Sequence, residues 1–435
     1  MQYIDNILFV VLLAAGFWFF AKNIKSLIRN IKLGKDIDRT DNKSARWKNM
    51  AKIALGQGKM VRRPVSGILH IVVYVGFILI NIEVLEIVID GIFGTHRIFS
   101  EVLPNSVYGF LIGNFEILAF LVLVAVIVFW IRRNVIKIAR FWKDEMKGWP
   151  KSDGNMILYF EMVLMTLFLV MNATDVHFQA MNTGNIISQY ITPLFSGMES
   201  GTLHFIERGA WWLHIVGILI FLNYLYYSKH LHILLAFPNT FFANLNPKGQ
   251  FTNDANVTKE VMMMMDPDAD PYAMPEEGAE EEVSTFGAKD VTDLSWVNLL
   301  NAYTCTECGR CTSECPANLT GKKLSPRKIM MDTRDRLEEV GKNIDANNGE
   351  FKDDGKNLFD WISKEEIWAC TSCNACVETC PVNIDPLSII MDMRRYLVME
   401  ESAAPTELNN MMQNVENNGA PWPYNQMDRL KWVDE

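Results

Sequence analysis

The chain has 435 residues, 49% of them apolar and 21% charged, with a formal net charge of −10. The averages hide a split, since long uncharged stretches lie almost entirely before residue 230 while acidic residues gather after residue 250. An apolar anchor followed by an acidic soluble part is implied, and a nucleic-acid partner is not.

Met1-Gln2-Tyr3-Ile4-Asp5 lacks the basic residues of a secretory signal, so the first apolar segment is expected to be retained. Uncharged or nearly uncharged runs follow at Asn6–Ala21, Val65–Ile82, Leu103–Ile131, Asn155–Thr174 and Gly209–Ser228. Crossing a bilayer as a helix takes roughly 17–25 residues, so these read as five transmembrane helices, the first a short one, within a domain at 1–244. The segment Lys22–Arg63 holds 13 Lys/Arg and Arg132–Gly154 holds 7, against one each in Glu83–Asn105 and Asp175–Arg208. Basic short loops stay in the cytoplasm, which predicts a bacterial inner-membrane protein with its N-terminus outside and everything after Lys229 inside.

In the anchor, His214 and His232 are 18 residues apart. That is five helical turns, which predicts both on one side of the fifth helix, with His230 turned about 160° away. His70, about two turns into the second helix, reaches the membrane depth of His232. Two neutral imidazoles from two helices are how haem b is held, so His70 and His232 are the expected cytoplasmic-side haem ligands. A second, outer haem would use His214, for which His177 is the available partner because the matching place on the second helix is Ile80. Glu83 and Glu86, with Glu116 and Glu161, are carboxylates inside apolar segments, where charge is costly and usually functional. Glu83 and Glu86 are the candidates for exchanging the protons of a bound quinone.

From 245 to 290 the composition turns to an acidic linker, with Met262–Met265, Asp266, Asp268, Asp270, Pro271, Pro275 and the group Glu276–Glu282. All eight cysteines then fall between Cys305 and Cys380, which leaves none for a structural disulfide and favours a reducing compartment. They repeat one pattern, Cys305-x2-Cys308-x2-Cys311-x3-Cys315-Pro316 and Cys370-x2-Cys373-x2-Cys376-x3-Cys380-Pro381. Three thiolates of such a run wrap one four-iron cube while the fourth ligates the other. Cys305, Cys308, Cys311 and Cys380 are therefore expected on one 4Fe-4S cluster, and Cys370, Cys373, Cys376 and Cys315 on the second. Paired zinc sites fit less well, because zinc needs neither the third Cys nor the following Pro. The quartets are separated by 54 residues that include the helical-looking Ser325–Val340. An all-α fold is expected, a five-helix transmembrane haem b bundle followed by an α-helical ferredoxin domain at 291–400, with 401–435 as a subunit-docking tail.

With these residues in view, the first 240 residues resemble the haem b gamma subunit of respiratory nitrate reductases, notably through Trp212-Leu213-His214 and Tyr227-Ser228-Lys229-His230-Leu231-His232. The remainder resembles membrane-bound heterodisulfide-reductase-like iron–sulfur proteins, including oxidoreductases fed by electron-transfer flavoprotein. Asp293-Leu294-Ser295-Trp296, Gly321 to Pro326, Met393 to Met399, and Glu416 to Trp422 carry that likeness. It implies an electron-transfer subunit linking a cytoplasmic flavoprotein or thiol/disulfide partner to the menaquinone pool. Two departures matter. Ile80 replaces a haem-ligating His of the nitrate reductase relatives. The cysteine-rich region that follows the tail in fused relatives is missing before Glu435, so a separate heterodisulfide-reductase-B-like subunit is the expected partner. A membrane redox sensor or assembly anchor with structural clusters is the rival reading. No nucleotide-binding loop or activated nucleophile occurs, so the expected role is conduction.

Overall fold

The computed structural model describes residues 3–267 and 285–433. The expected acidic group Glu276–Glu282, with Asp268, Asp270, Pro271 and Pro275, lies outside them. The described residues are helical, and their one β-type contact is an isolated parallel bridge between Lys35 and Ser295.

Five helices are long and apolar enough to cross a membrane: Ile4–Ile31, Pro64–Phe93, Asn105–Asn134, Trp149–Thr174 and Ser200–Tyr227. Proline starts three of them. Pro64 and Pro150 stand in the first turn, where the missing N–H is not needed, and Pro104 caps the third in an extended conformation. The second helix stops at Gly94, whose φ of +75° only glycine adopts cheaply, and whose N–H bonds the Asp90 carbonyl at 2.8 Å. The second packs on the third, the third on the fourth and the fourth on the fifth, while the first lies against the second and fifth. A side chain at Gly76 would strike Val122, so that glycine lets the second and third helices approach closely.

The first helix runs 28 residues, well past the expected Ala21. Its basic end stays helical because it docks on the soluble domain. Asn30 donates to the Tyr303 hydroxyl at 3.0 Å, and Arg29 donates to the Gly341 carbonyl at 3.1 Å while pairing with Asp345.

The fifth helix corrects the helical-wheel expectation. It is regular only over Ser200–Tyr224, turns tightly at Leu225–Tyr227 and Lys229–Leu231, and a separate helix begins at His232. His214 and His232 therefore do not share one helix. The cause is a buried carboxylate on the fourth helix. Asp153 accepts the Tyr224 hydroxyl at 2.6 Å and the Lys229 N–H at 3.1 Å, and Ser228, extended, accepts the His230 N–H at 3.1 Å. These bonds replace the helical ladder and swing the chain aside.

In the soluble domain, helices Trp296–Thr304, Pro326–Ala346 and Pro386–Met399 pack on one another. Each opens on a side-chain cap: Ser295 accepts from Asn298 N–H, Ser325 from Lys328 N–H and Asp385 from Ser388 N–H. Ile329, Leu337 and Val340 of the middle helix are buried with Leu299, Ile390 and Leu397. Before it, the methionines Met262–Met265 form the last turns of a helix, Ala255–Met265, that Asp254 caps. The tail helix Thr406–Asn418 buries no residue.

Candidate functional site

The two cysteine loops trace the same backbone. Two residues after the first Cys, Glu307 and Ser372 have φ of +52° and +56°; one residue after the second Cys, Gly309 and Asn374 have +69° and +60°. Left-handed residues at these places turn backbone N–H groups inward, toward the sulfurs. Gly309 and Asn374 also begin the short helices Arg310–Ser313 and Ala375–Thr379 that carry the third Cys of each run.

Folding interleaves the quartets. One cavity is lined by Cys305, Cys308, Cys311 and Cys380, with Cys376 at its border and Gly309, Arg327 and Ile384 around it. Cys315 lies among Cys370, Cys373 and Cys376, near enough for their charges to interact. Backbone N–H groups already point at sulfur, Ile384 to Cys380 Sγ at 3.3 Å and Ser372 to Cys370 Sγ at 3.4 Å. Burial, then the neighbouring Glu307 and cysteine charges, pushes the Cys305 thiol up to about 12, and burial pushes Cys380 to about 11. Four thiolates so enclosed need a cationic centre to balance them, so the donor set fits an iron–sulfur cube.

The His70 and His232 rings stand 6.3 Å apart, inclined by 41°. Two metal–nitrogen bonds of about 2 Å each, plus about 1 Å from each nitrogen to its ring centre, add up to about 6 Å, so one iron fits between them. His232 Nδ1 is 3.1 Å from the Lys229 carbonyl, the kind of second bond that fixes a ligating ring and leaves Nε2 free. His70 Nδ1 is buried with no hydrogen-bond partner. His230, which the sequence turns away, packs its ring 5.4 Å from Phe221 and sits 3.9 Å from Glu161.

The other pair is not brought together. His214 is buried with Nδ1 3.0 Å from the Leu164 carbonyl and its ring beside Phe168, whereas His177 lies 6.1 Å from His96. Glu83 and Glu86 are both buried. Glu83 Oε2 has no partner, while Glu86 accepts the Phe99 N–H at 2.8 Å and the Tyr108 hydroxyl at 3.5 Å. Glu116 accepts from Asn172 and from the N–H groups of Ile187 and Ser188.

Sequence reading missed Lys229 and Glu307. Lys229, whose carbonyl holds His232, pairs through its ammonium with Glu307, which lies between Cys305 and Cys308 and also accepts Arg334 at 2.8 Å. Arg310, in the same loop, donates to the Lys59 carbonyl at 3.1 Å, just before the helix that carries His70. A buried basic–acidic pair far apart in sequence has no local signature.

The fold and the cysteine site define an iron–sulfur protein mounted on helices of membrane-spanning length, and residues 304–384 match the family described as 4Fe-4S dicluster domain. Within that class the chain is heterodisulfide-reductase-like. It is 29% identical to the probable iron-sulfur-binding oxidoreductase FadF of Bacillus subtilis over 99% of this chain and 61% of that one. It is 26% identical to the EtfAB:quinone oxidoreductase of Syntrophomonas wolfei over 92% of this chain and 55% of that one. Over 34% of its length it is 32% identical to 24% of the probable membrane-anchored ferredoxin of Chromohalobacter salexigens. Shorter matches of the cysteine region reach polypeptides of the CoB-CoM heterodisulfide reductases of Methanosarcina species. The chain thus spans under two thirds of the length of the first two relatives. No solved structure matches.

Proposed function

We propose that the chain is the membrane-anchored electron-transfer subunit of an oxidoreductase, passing electrons between a cytoplasmic redox partner and the menaquinone pool. The observation that carries this reading is the Lys229 bridge, which joins the loop of the first cysteine quartet to the ring of His232 through one residue. Cys305, Cys308, Cys311 and Cys380 hold the 4Fe-4S cluster next to the membrane, and Cys315, Cys370, Cys373 and Cys376 hold the outer one. His70 and His232 hold haem b. When bound, these groups supply one-electron steps; the chain's own residues space them, exclude water and tune them.

Lys229, Glu307 and Arg310 fix the distance between the first quartet and the two imidazoles. Cys373 is exposed, which opens the second quartet to a partner. The uncovered tail helix Thr406–Asn418, with Met411, Met412 and Val415 exposed, is the docking segment. An electron-transfer flavoprotein or a heterodisulfide-reductase-B-like subunit is the partner that the relatives' names suggest. Oxidation of menaquinol releases two electrons and two protons, and Glu83, whose Oε2 has no partner, is placed to take a proton with Glu86 beside it. The basic loops keep the soluble domain in the cytoplasm.

Reduced-minus-oxidised spectra of membranes test this. A quinol analogue should reduce a b-type haem, and an oxidant acting through the clusters should reoxidise it; no response to quinol would favour a sensor or anchor with structural clusters. Glu83→Gln and Glu86→Gln together should cut quinol turnover by at least 10-fold, and normal turnover would remove their proton role.

A further inference from the structure

At the far end of the second helix from His70, a group of side chains lies outside the electron route. His96, in the loop after that helix, is half exposed; Asp175, after the fourth helix, and Glu207, in the fifth, are buried. His96 Nε2 stands 3.4 Å from Asp175 Oδ2 and 3.9 Å from Glu207 Oε1. Both separations exceed the usual 2.7–3.2 Å of an N–H···O bond. They match the edges of a tetrahedron whose centre is about 2.1 Å from each corner, since such an edge is about 3.4 Å, and that is the geometry of zinc with nitrogen and oxygen donors.

Glu207 is an independent sign. It is only 3% exposed. Its nearest cationic atoms are His204 Nδ1 and Arg208 Nη1 at 3.7 Å and His96 Nε2 at 3.9 Å. Among the described residues this buried carboxylate makes no contact as short as a hydrogen bond, a costly state without a further cation. Asp175 is held as metal-binding carboxylates are held. Arg97 donates to its Oδ2 at 2.5 Å, and the Phe178 N–H donates to its Oδ1 at 3.0 Å. Each carboxylate oxygen keeps a second lone pair for a metal. The His177 ring, 6.1 Å from that of His96, is near enough to supply a fourth donor or to orient a water.

We propose that His96, Asp175 and Glu207 form a binding site for a divalent transition-metal ion of the zinc class, on the face of the bundle opposite the cysteine domain. The exposed edge of His96 gives the ion a route in from water. The site does not depend on the electron-transfer reading.

The test uses the full, untagged chain in detergent with its cysteine sites loaded with iron, so that free thiols do not compete. Zinc alone is titrated by equilibrium dialysis, and cobalt alone is followed by its visible bands. Wild type should take up one ion per chain, and His96→Ala and Glu207→Gln should each weaken uptake at least 10-fold and remove the cobalt bands. Uptake unchanged in both variants, or none in wild type, overturns the proposal. If the variants do not fold, zinc should still shield His96 of the wild type from diethyl pyrocarbonate, read by peptide mass. Equal modification with and without zinc would show a plain ion-pair cluster instead.

Discussion

Cys380 belongs to the second quartet in sequence and to the cavity of the first in space. Its replacement should therefore damage the cluster of the other motif. Cys380→Ser is expected to remove the signal of the membrane-side cluster, and Cys315→Ser that of the outer one, each lowering non-haem iron by about half; electron paramagnetic resonance of each variant checks the crossing. The reverse assignment of signals would mean that each motif serves its own cluster. The cysteines were legible because their spacing is local and repeated. His96, Asp175 and Glu207 were not, because three separate elements bring them together. Asp332 carries a pH effect. Burial lifts it to about 6 against the pull of Lys328, 2.7 Å away. Its folded pKa lies above the ordinary value near 3.9, so the folded state binds the proton more tightly. Stability should then fall by roughly 2 to 3 kcal/mol as pH rises from about 4 to about 6, and stay level beyond. Urea midpoints at those pH values should show the slope in wild type and not in Asp332→Asn.

Among elements, the middle helix of the soluble domain, Pro326–Ala346, organises its surroundings through Arg336. This side chain is fully buried and donates to Asp290 at 2.7 Å and to Asp354 at 2.6 Å, tying two loops to one helix. Arg336→Ala leaves both carboxylates without their cation, and should cost about 3–5 kcal/mol in urea unfolding. A loss under 1 kcal/mol would mean that water replaces the guanidinium. The same helix was visible in sequence as apolar positions among charges. The break after Tyr224 was not. Hydropathy runs on through Ser228, and nothing near it in sequence announces that Asp153, on another helix, takes the hydroxyl and N–H that end the fifth helix. The first helix was read too short for a similar reason, since Asn30 and Arg29 gain their partners only in the folded chain.

For the whole molecule, the junction between anchor and soluble domain is polar and specific. Arg327, fully buried, donates to the Arg140 carbonyl and to Glu145, both at 2.7 Å, and Arg63 pairs with Glu314 at 2.8 Å. Lys229 joins the two candidate centres, so Lys229→Ala should loosen the junction and slow reoxidation of the haem through the clusters by 10-fold or more while leaving iron content intact. Hydrogen exchange around Glu307 and His232 should rise in that variant; unchanged exchange and rate would make the bridge incidental. The two-part architecture was evident from hydropathy and cysteine spacing. The way the parts meet was hidden in single ion pairs between distant segments.

The central claim is that one chain combines two iron cubes with a porphyrin held by His70 and His232. Metal and haem analysis of the purified, untagged chain tests it most directly. About eight non-haem irons and one haem b per chain are expected, with the haem lost in His70→Ala and in His232→Ala. Zinc in place of iron, or no porphyrin absorbance in the wild type, would contradict the account.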